Sequence, residues 1–323
     1  MKPRVLLVPD VPWWAFANIA KVITRYCSDE FEIEIGYLKD YLEDRETFET
    51  VAMTCDIVVF FWWSSYLSFR PMLRRHTRSI VLVFDQGSLE LCHAAVAVGE
   101  TCDLVMVSNK AFLALTTDCK ALVRLCEDGV DTTLFSPAAT PHSGRDVTFG
   151  WTGNSRAHLS YRSLNGFGAE ADDYKGLWSI IRPAHAQLGM PSRLEIRDRS
   201  SGNVWPHEMM PEWYRGLDVY IVASIAEGTP NPALEAAASQ VLLISNAVGV
   251  VPEIFTSGVD AFVIPREVSA YRDVMRWCIK NPEQASEMAR AGREAVVASW
   301  DWSVKVDQYR KAFREVLGKK ESA

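Results

Sequence analysis

Short, largely apolar runs rich in β-branched residues, each followed by a helix-length stretch, recur along this chain and constrain its fold more than any other feature. In the first 126 residues they read "RVLLV", "FEIEIGY", "DIVVFFWW", "SIVLVFD", "DLVMVS" and "ALVRLC". Runs this apolar are buried on both faces, which a parallel sheet covered by helices provides and a half-exposed antiparallel sheet does not. Residues 127–145 then bring Pro, Gly, Ser and Thr without a sustained apolar period, as in an interdomain connector. The pattern restarts with "DVTFGW", "SRLEIRD", "LDVYIVAS", "QVLLIS" and "DAFVIP". The expected fold class is therefore α/β, with two doubly wound parallel-sheet domains facing a cleft. Residues 1–140 form the first, 141–300 the second, and 301–323 a terminal helix. In that helix Val304, Val306, Tyr309, Phe313 and Val316 approximate one apolar face.

Composition narrows the function classes. With 48% hydrophobic residues over 323 positions the chain is neither disordered nor collagen-like, and a net charge of -7 lacks the basic footprint of a nucleic-acid binder. Seven scattered cysteines without a C-x-x-C pair signal neither a disulfide framework nor a zinc site, which fits a reducing cytosol. No run approaches the roughly 18 apolar residues of a membrane span. The six histidines lack metal-ligand spacing, and neither H-E-x-x-H nor a D-x-D motif occurs, so no metal is expected. The run "RPMLRRHTR", with Arg70, Arg74, Arg75 and Arg78, is either a solvated helix face or a contact for anionic lipid or a phosphorylated acceptor. The expected location is cytoplasmic, with peripheral contact at the inner face of a membrane left open.

The stretch from Asp218 to Ser245 is the most informative. A buried strand leads through "EGTPNP" into an Ala-rich helix and a second strand. Asn231 suits an N-cap and Pro232 a first helical residue. A helix N-terminus at the carboxyl end of a parallel strand favours an anion such as a phosphate or diphosphate. Glu227 and Glu235 bracket the turn with seven residues between them, the second expected in the first helical turn. Carboxylates beside a phosphate would repel it, so a functional pair would accept hydrogen bonds from sugar and ribose hydroxyls. Alternatively, Glu235 complements the helix dipole and Glu227 is a solvated loop residue.

Here the sequence resembles the retaining glycosyltransferases of family 4, which have the GT-B architecture of two Rossmann-like domains. "EGTPNPALE" looks like that family's E-x7-E motif, and "EDGVDTTLFSP" resembles its N-G-V-D-x-x-x-F-x-P segment. "DYKGLW", "PEWYRGLDVYIVAS", "GVVPEIF" and "SWDWSVKVDQYRKAF" extend the similarity over about residues 126–317. The resemblance implies a hexosyltransferase using a nucleoside diphosphate sugar and a hydroxyl-bearing acceptor; the sequence does not identify the base, and uridine is taken as the default. It implies a metal-free front-face mechanism with retention and no cofactor, and a terminal helix that returns to the first domain. Glu227 would approach the donor hexose, Glu235 the ribose and Lys175 the diphosphate, with Glu227 and Lys175 catalytic. The donor site would comprise Gly153, Asn154, Arg156, Lys175, Glu227, Gly228, Thr229, Pro230, Asn231 and Glu235. For Lys175 the other reading is an ordinary surface lysine beside a helix.

Two departures stand out. The position after Gly150, an Arg in many members, is Trp151, and Arg156 is either the substitute cation or a partner in a structural salt bridge. The Gly-rich loop after the first strand is replaced by "PDVPWWAFAN". Trp13 and Trp14 there, and Trp62 and Trp63 after the third strand, are either an acceptor wall that stacks on sugars or encloses an apolar group, or core residues. Asp85, closing the fourth run, is a further acceptor-contact candidate. The rivals are a catalytically weak sugar-nucleotide-binding protein, and a GT-B-type epimerase or phosphorylase.

Overall fold

The computed structural model describes residues 1–84, 96–116, 119, 121–139, 144–156, 173–202 and 205–318. Two compact units divide the chain: Met1–Asp128 with Trp302–Ala323, and Gly129–Asp301.

The first unit is built on six parallel strands, β1 (Arg4–Val8), β2 (Glu32–Ile35), β3 (Ile57–Phe60), β4 (Arg78–Val83), β5 (Leu104–Val107) and β6 (Leu122–Leu125). Their spatial order is β2-β1-β3-β4-β5-β6. Val5 pairs with Ile33 on one side and Ile57 on the other, so the winding reverses between β1 and β3. Ligands of doubly wound sheets bind at such a reversal, beyond the carboxyl ends of the strands. Helices α1 (Ala15–Cys27), α2 (Leu38–Glu43), α3 (Arg45–Ala52), α4 (Trp63–Phe69) and α5 (Lys110–Ala114) connect them. Phe16, Ile19, Ala20, Ile23 and Cys27 recur at helical spacing on α1 and pack on the sheet's apolar side chains. Asp44 and Asn109 cap α3 and α5 by accepting from the amides of Thr47 and Phe112.

The second unit carries β7 (Val147–Gly153), β8 (Ser192–Asp198), β9 (Val219–Val222), β10 (Leu242–Ser245) and β11 (Phe262–Val263), all parallel in the order β11-β10-β9-β7-β8. Its reversal lies between β7 and β9. Helices α6 (Arg182–Ala186), α7 (Met210–Arg215), α8 (Asn231–Ala238), α9 (Val251–Ile254), α10 (Val268–Lys280) and α11 (Pro282–Ser299) complete it. Residues 129–140, assigned above to the first domain, fall in this unit. Val130 donates its amide to Trp300 O at 2.9 Å, and Thr132 donates its amide and hydroxyl to Asp301. Phe135 is buried against Tyr214. The apolar side chains at 130 and 135 thus override the loop-like composition around them.

Helix α12 (Trp302–Gly318) belongs to the first unit. Trp302, Val306, Tyr309, Phe313 and Val316 enter the same core as Phe16 and Phe31, with the Phe31 and Phe313 rings edge-on at 5.3 Å. Val304, expected on that face, is 50% exposed, because Trp302 sets the phase of the stripe. Lys305 is buried and pairs with Glu127 at 2.5 Å, while Gln308 accepts the Glu127 amide at 2.8 Å. Arg310 and Arg314 pair with Glu30.

Candidate active site

At the carboxyl end of β9 the chain leaves the sheet through Ala223, Ser224 and Ile225 and reaches Glu227 before α8 begins. That exit is pinned from two sides. Tyr271 of α10 donates its hydroxyl to Val222 O at 2.6 Å, and Asn246 donates to Ser224 O at 3.0 Å. Gly249 adopts φ +53, and a Cβ there would stand 2.3 Å from Gly228 O, so only glycine lets this backbone lie against the Glu227 turn. Glu227 is 11% exposed; its Oε1 accepts from the Lys175 ammonium at 2.5 Å and from the Ser224 hydroxyl at 2.6 Å. Lys175 is brought there by Gly176, which adopts φ +72 and lies so close to Ala223 O that a Cβ would sit 2.2 Å away. A π-helical turn, Leu177–Ile181, follows.

The cap of α8 differs from expectation. Pro230 occupies it, and Asn231 and Pro232 are the first two helical residues. No side chain caps the helix, and the buried Thr229 hydroxyl has no hydrogen-bond partner among the described residues. Glu235 consequently lies in the second turn rather than the first. Its Oε2 accepts from the Tyr214 hydroxyl at 2.8 Å, and its Oε1 is 3.1 Å from His207 Nε2. Burial, and then the neighbouring Glu235 charge, push the Tyr214 hydroxyl well above its ordinary value, which keeps it a donor. The ring of His207 meets Phe135 edge-on at 5.3 Å. Neither Tyr214 nor His207 was singled out by sequence; the only signal for them is their place in "PHEMMPEWYRGLDV".

Gly153 and Asn154 stand at the carboxyl end of β7, on the same reversal as Glu227. Asp198 at the end of β8 accepts from the Ser155 amide at 3.0 Å and hydroxyl at 2.6 Å, and from the Ser200 amide and hydroxyl. Burial acts to raise the Asp198 pKa, but these hydrogen bonds outweigh it and hold the carboxyl below its ordinary value. Arg156 is exposed and its amide donates to Asn154 Oδ1 at 3.0 Å. Arg199, the residue after Asp198, is a second exposed cation at this edge, and its charge favours ionisation of Tyr214 and Tyr220 against the effect of burial. Trp151 is 2% exposed in the core and fills the space that a side chain at Gly153 would need.

In the first unit both tryptophan pairs follow strands that flank the reversal, β1 and β3. Trp13 and Trp14 are 63% and 47% exposed. Trp62 and Trp63 are half-buried, Trp62 at 6.2 Å from Phe16 and Trp63 against the cores on the other side of the sheet. Asp85 lies outside the described residues. Arg70, Arg74 and Arg75 are exposed around a short 3-10 turn rather than along a helix face, and Arg78 opens β4 paired with Asp103 at 3.3 Å. Among the described residues no group of three or more His, Cys, Asp or Glu side chains could hold a metal, and no helix is long and apolar enough to cross a membrane.

Comparison with known proteins supplies the context for this geometry. Residues 198–295 match the family model described as Glycosyl transferases group 1. D-inositol 3-phosphate glycosyltransferase 1 of Catenulispora acidiphila is 28% identical over 113 residues, 35% of this chain and 27% of its own length. Alpha-maltose-1-phosphate synthase of Mycolicibacterium smegmatis is 24% identical over 227 residues, 60% of this chain and 57% of its own length. The chain thus spans about a quarter of one curated relative and just over half of the other. The structure of Anabaena HepE in complex with UDP-glucose superposes with a TM-score of 0.71 at 14% identity, covering 97% of this chain and 99% of that one. Two parallel-sheet α/β units and this likeness give the fold as GT-B, with a glycosyl transferases group 1 match over residues 198–295 of its second unit.

Proposed function

We propose that this protein is a retaining glycosyltransferase that moves a hexosyl group from a nucleoside diphosphate sugar, with UDP as the default nucleotide, to an acceptor hydroxyl. The observation that carries the reading is the Lys175–Glu227 pair at 2.5 Å beside the uncapped start of α8, with Glu235 held one turn further on. The ammonium and the helix start suit the diphosphate, Glu227 the hexose and Glu235 the ribose. The group 1 match and the UDP-glucose held by the Anabaena neighbour support a nucleotide-sugar donor.

In the proposed reaction the bond from the anomeric carbon to the phosphate oxygen breaks, and the acceptor oxygen bonds to that carbon from the same face. The acceptor proton passes to the departing diphosphate. Lys175 compensates the charge that develops on the leaving group, and Glu227 faces the oxocarbenium character of the sugar. The chemistry needs no metal and no cofactor. Trp13, Trp14, Trp62, Trp63 and Asp85 are assigned to the acceptor side, and a cytoplasmic location is part of the same reading, with peripheral membrane contact left open.

The rival, a binder without turnover, draws on Trp151, whose burial in the core leaves no cation at that position. A thermal-shift screen over UDP, GDP, ADP and dTDP sugars tests the donor, because a ligand at 100 times its dissociation constant stabilises by about 2.7 kcal/mol. Acceptor-dependent release of nucleoside diphosphate then supports transfer. Tight donor binding with no consumption across a broad acceptor panel supports the rival.

A further inference from the structure

Arg266 follows β11 in the turn that leads to α10, outside every motif quoted above. Its guanidinium donates in two directions. Nε donates to Ala223 O at 2.7 Å, while Nη2 donates to Asp173 O at 3.1 Å and reaches the Ser179 hydroxyl at 3.5 Å. Ala223 immediately precedes Ser224, whose hydroxyl donates to Glu227, and Asp173 lies two residues before Lys175. One planar group therefore ties together the two backbone segments that carry the cation and the carboxylate. The same seam is closed by the Ile225 amide, which donates to Tyr174 O at 2.9 Å. Asp173 turns the chain after Lys175 by accepting from the amides of Trp178 and Ser179, each at 2.6 Å.

We propose that Arg266 is a positioning residue for the donor site, setting the separation of Lys175 and Glu227 without touching the donor; this rests on the reading that those two residues hold it. When a diphosphate arrives, Lys175 must exchange Glu227 for phosphate oxygens. The direct ion pair then no longer holds the two segments, and the guanidinium bridge between their carbonyls does so beside the single Ile225–Tyr174 backbone bond. A lysine at this position, a single point charge on a flexible stem, cannot reproduce the planar two-sided fork.

Calorimetric titration with UDP, GDP, ADP and dTDP, each alone, tests this on the full chain. The variants are Arg266→Gln, Arg266→Lys, Lys175→Ala and the double variant Arg266→Gln/Lys175→Ala, with folding checked by thermal unfolding. Arg266→Gln is expected to weaken the best-bound diphosphate about 10-fold and Arg266→Lys to recover only part of that, since a charge-assisted hydrogen bond from a misplaced ammonium loses much of its strength. The loss should nearly vanish in the Lys175→Ala background, because a positioning residue acts through the group it positions. Hydrogen exchange of the Ile225, Trp178 and Ser179 amides should quicken in Arg266→Gln without any ligand. Unchanged affinity in folded Arg266→Gln, with Lys175→Ala impaired, would overturn the inference and leave the donor reading standing. So would losses that simply add in the double variant. If Lys175→Ala itself binds every diphosphate normally, the donor reading fails, and Arg266 loses its client with it.

Discussion

Glu227 and Glu235 are the same chemical group eight positions apart, yet their surroundings differ, and the proposed reading gives them different work. Glu227 shares one oxygen between an ammonium and a hydroxyl, whereas Glu235 is held through both oxygens by Tyr214 and His207. Under the proposed reading Glu235 meets the ribose, a contact that persists into the transition state, so Glu235→Gln and Tyr214→Phe should chiefly raise donor KM. Glu227→Gln should lower kcat roughly 10- to 1000-fold, equivalent to about 1.4 to 4 kcal/mol of lost transition-state stabilisation. Single-turnover kinetics on the folded variants separate the two, and full single-turnover rate in Glu227→Gln with loss in Glu235→Gln would reverse the roles. The tryptophans divide by burial. Trp13→Ala and Trp14→Ala should leave the melting temperature nearly unchanged and raise acceptor KM, while Trp62→Ala, which strips a half-buried ring from Phe16, should lower it; normal acceptor kinetics in folded Trp13→Ala and Trp14→Ala would remove that pair from the site.

Among elements, the strands were the most legible from sequence, because a parallel sheet covered on both faces leaves little room for polar residues: β3, β5, β9 and β10 are buried throughout. The start of α8 was legible to within a residue, and the shift from Asn231 to Pro230 at the cap moved Glu235 into the second turn. Arg266, Tyr214 and His207 were not legible, since each acts on a partner many positions away and nothing local marks an arginine that bridges two carbonyls. The apolar face of α12 was read correctly from Val306 onward and wrongly at Val304, because period alone does not say whether a stripe begins at 302 or 304. Phe313→Ala should destabilise the first unit by about 3 to 5 kcal/mol, and Val304→Ala by under about 0.5, measured by urea unfolding. Equal losses at the two sites would refute this packing.

For the molecule as a whole, buried thiols set an alkaline limit. Burial pushes Cys27, Cys102 and Cys278 up to about 12, and Tyr41 likewise to about 12. Each group ionises earlier in the unfolded chain than in the fold, so its contribution is whole below the unfolded value near 8.5 for cysteine and is lost as pH rises toward 12. The urea midpoint should therefore fall between pH 8 and about pH 10.5, and a midpoint that rises there would contradict the sign. One consequence concerns time. The first unit is interrupted in sequence by the whole of the second, and α12, which closes its core, is translated only after residue 301. At roughly 5 to 20 residues per second, making residues 129–301 occupies on the order of ten to thirty seconds. Throughout that interval Phe16, Phe31 and their neighbours wait on the ribosome without the helix that will cover them, so the unit begun first cannot be completed until the whole of the second has been made.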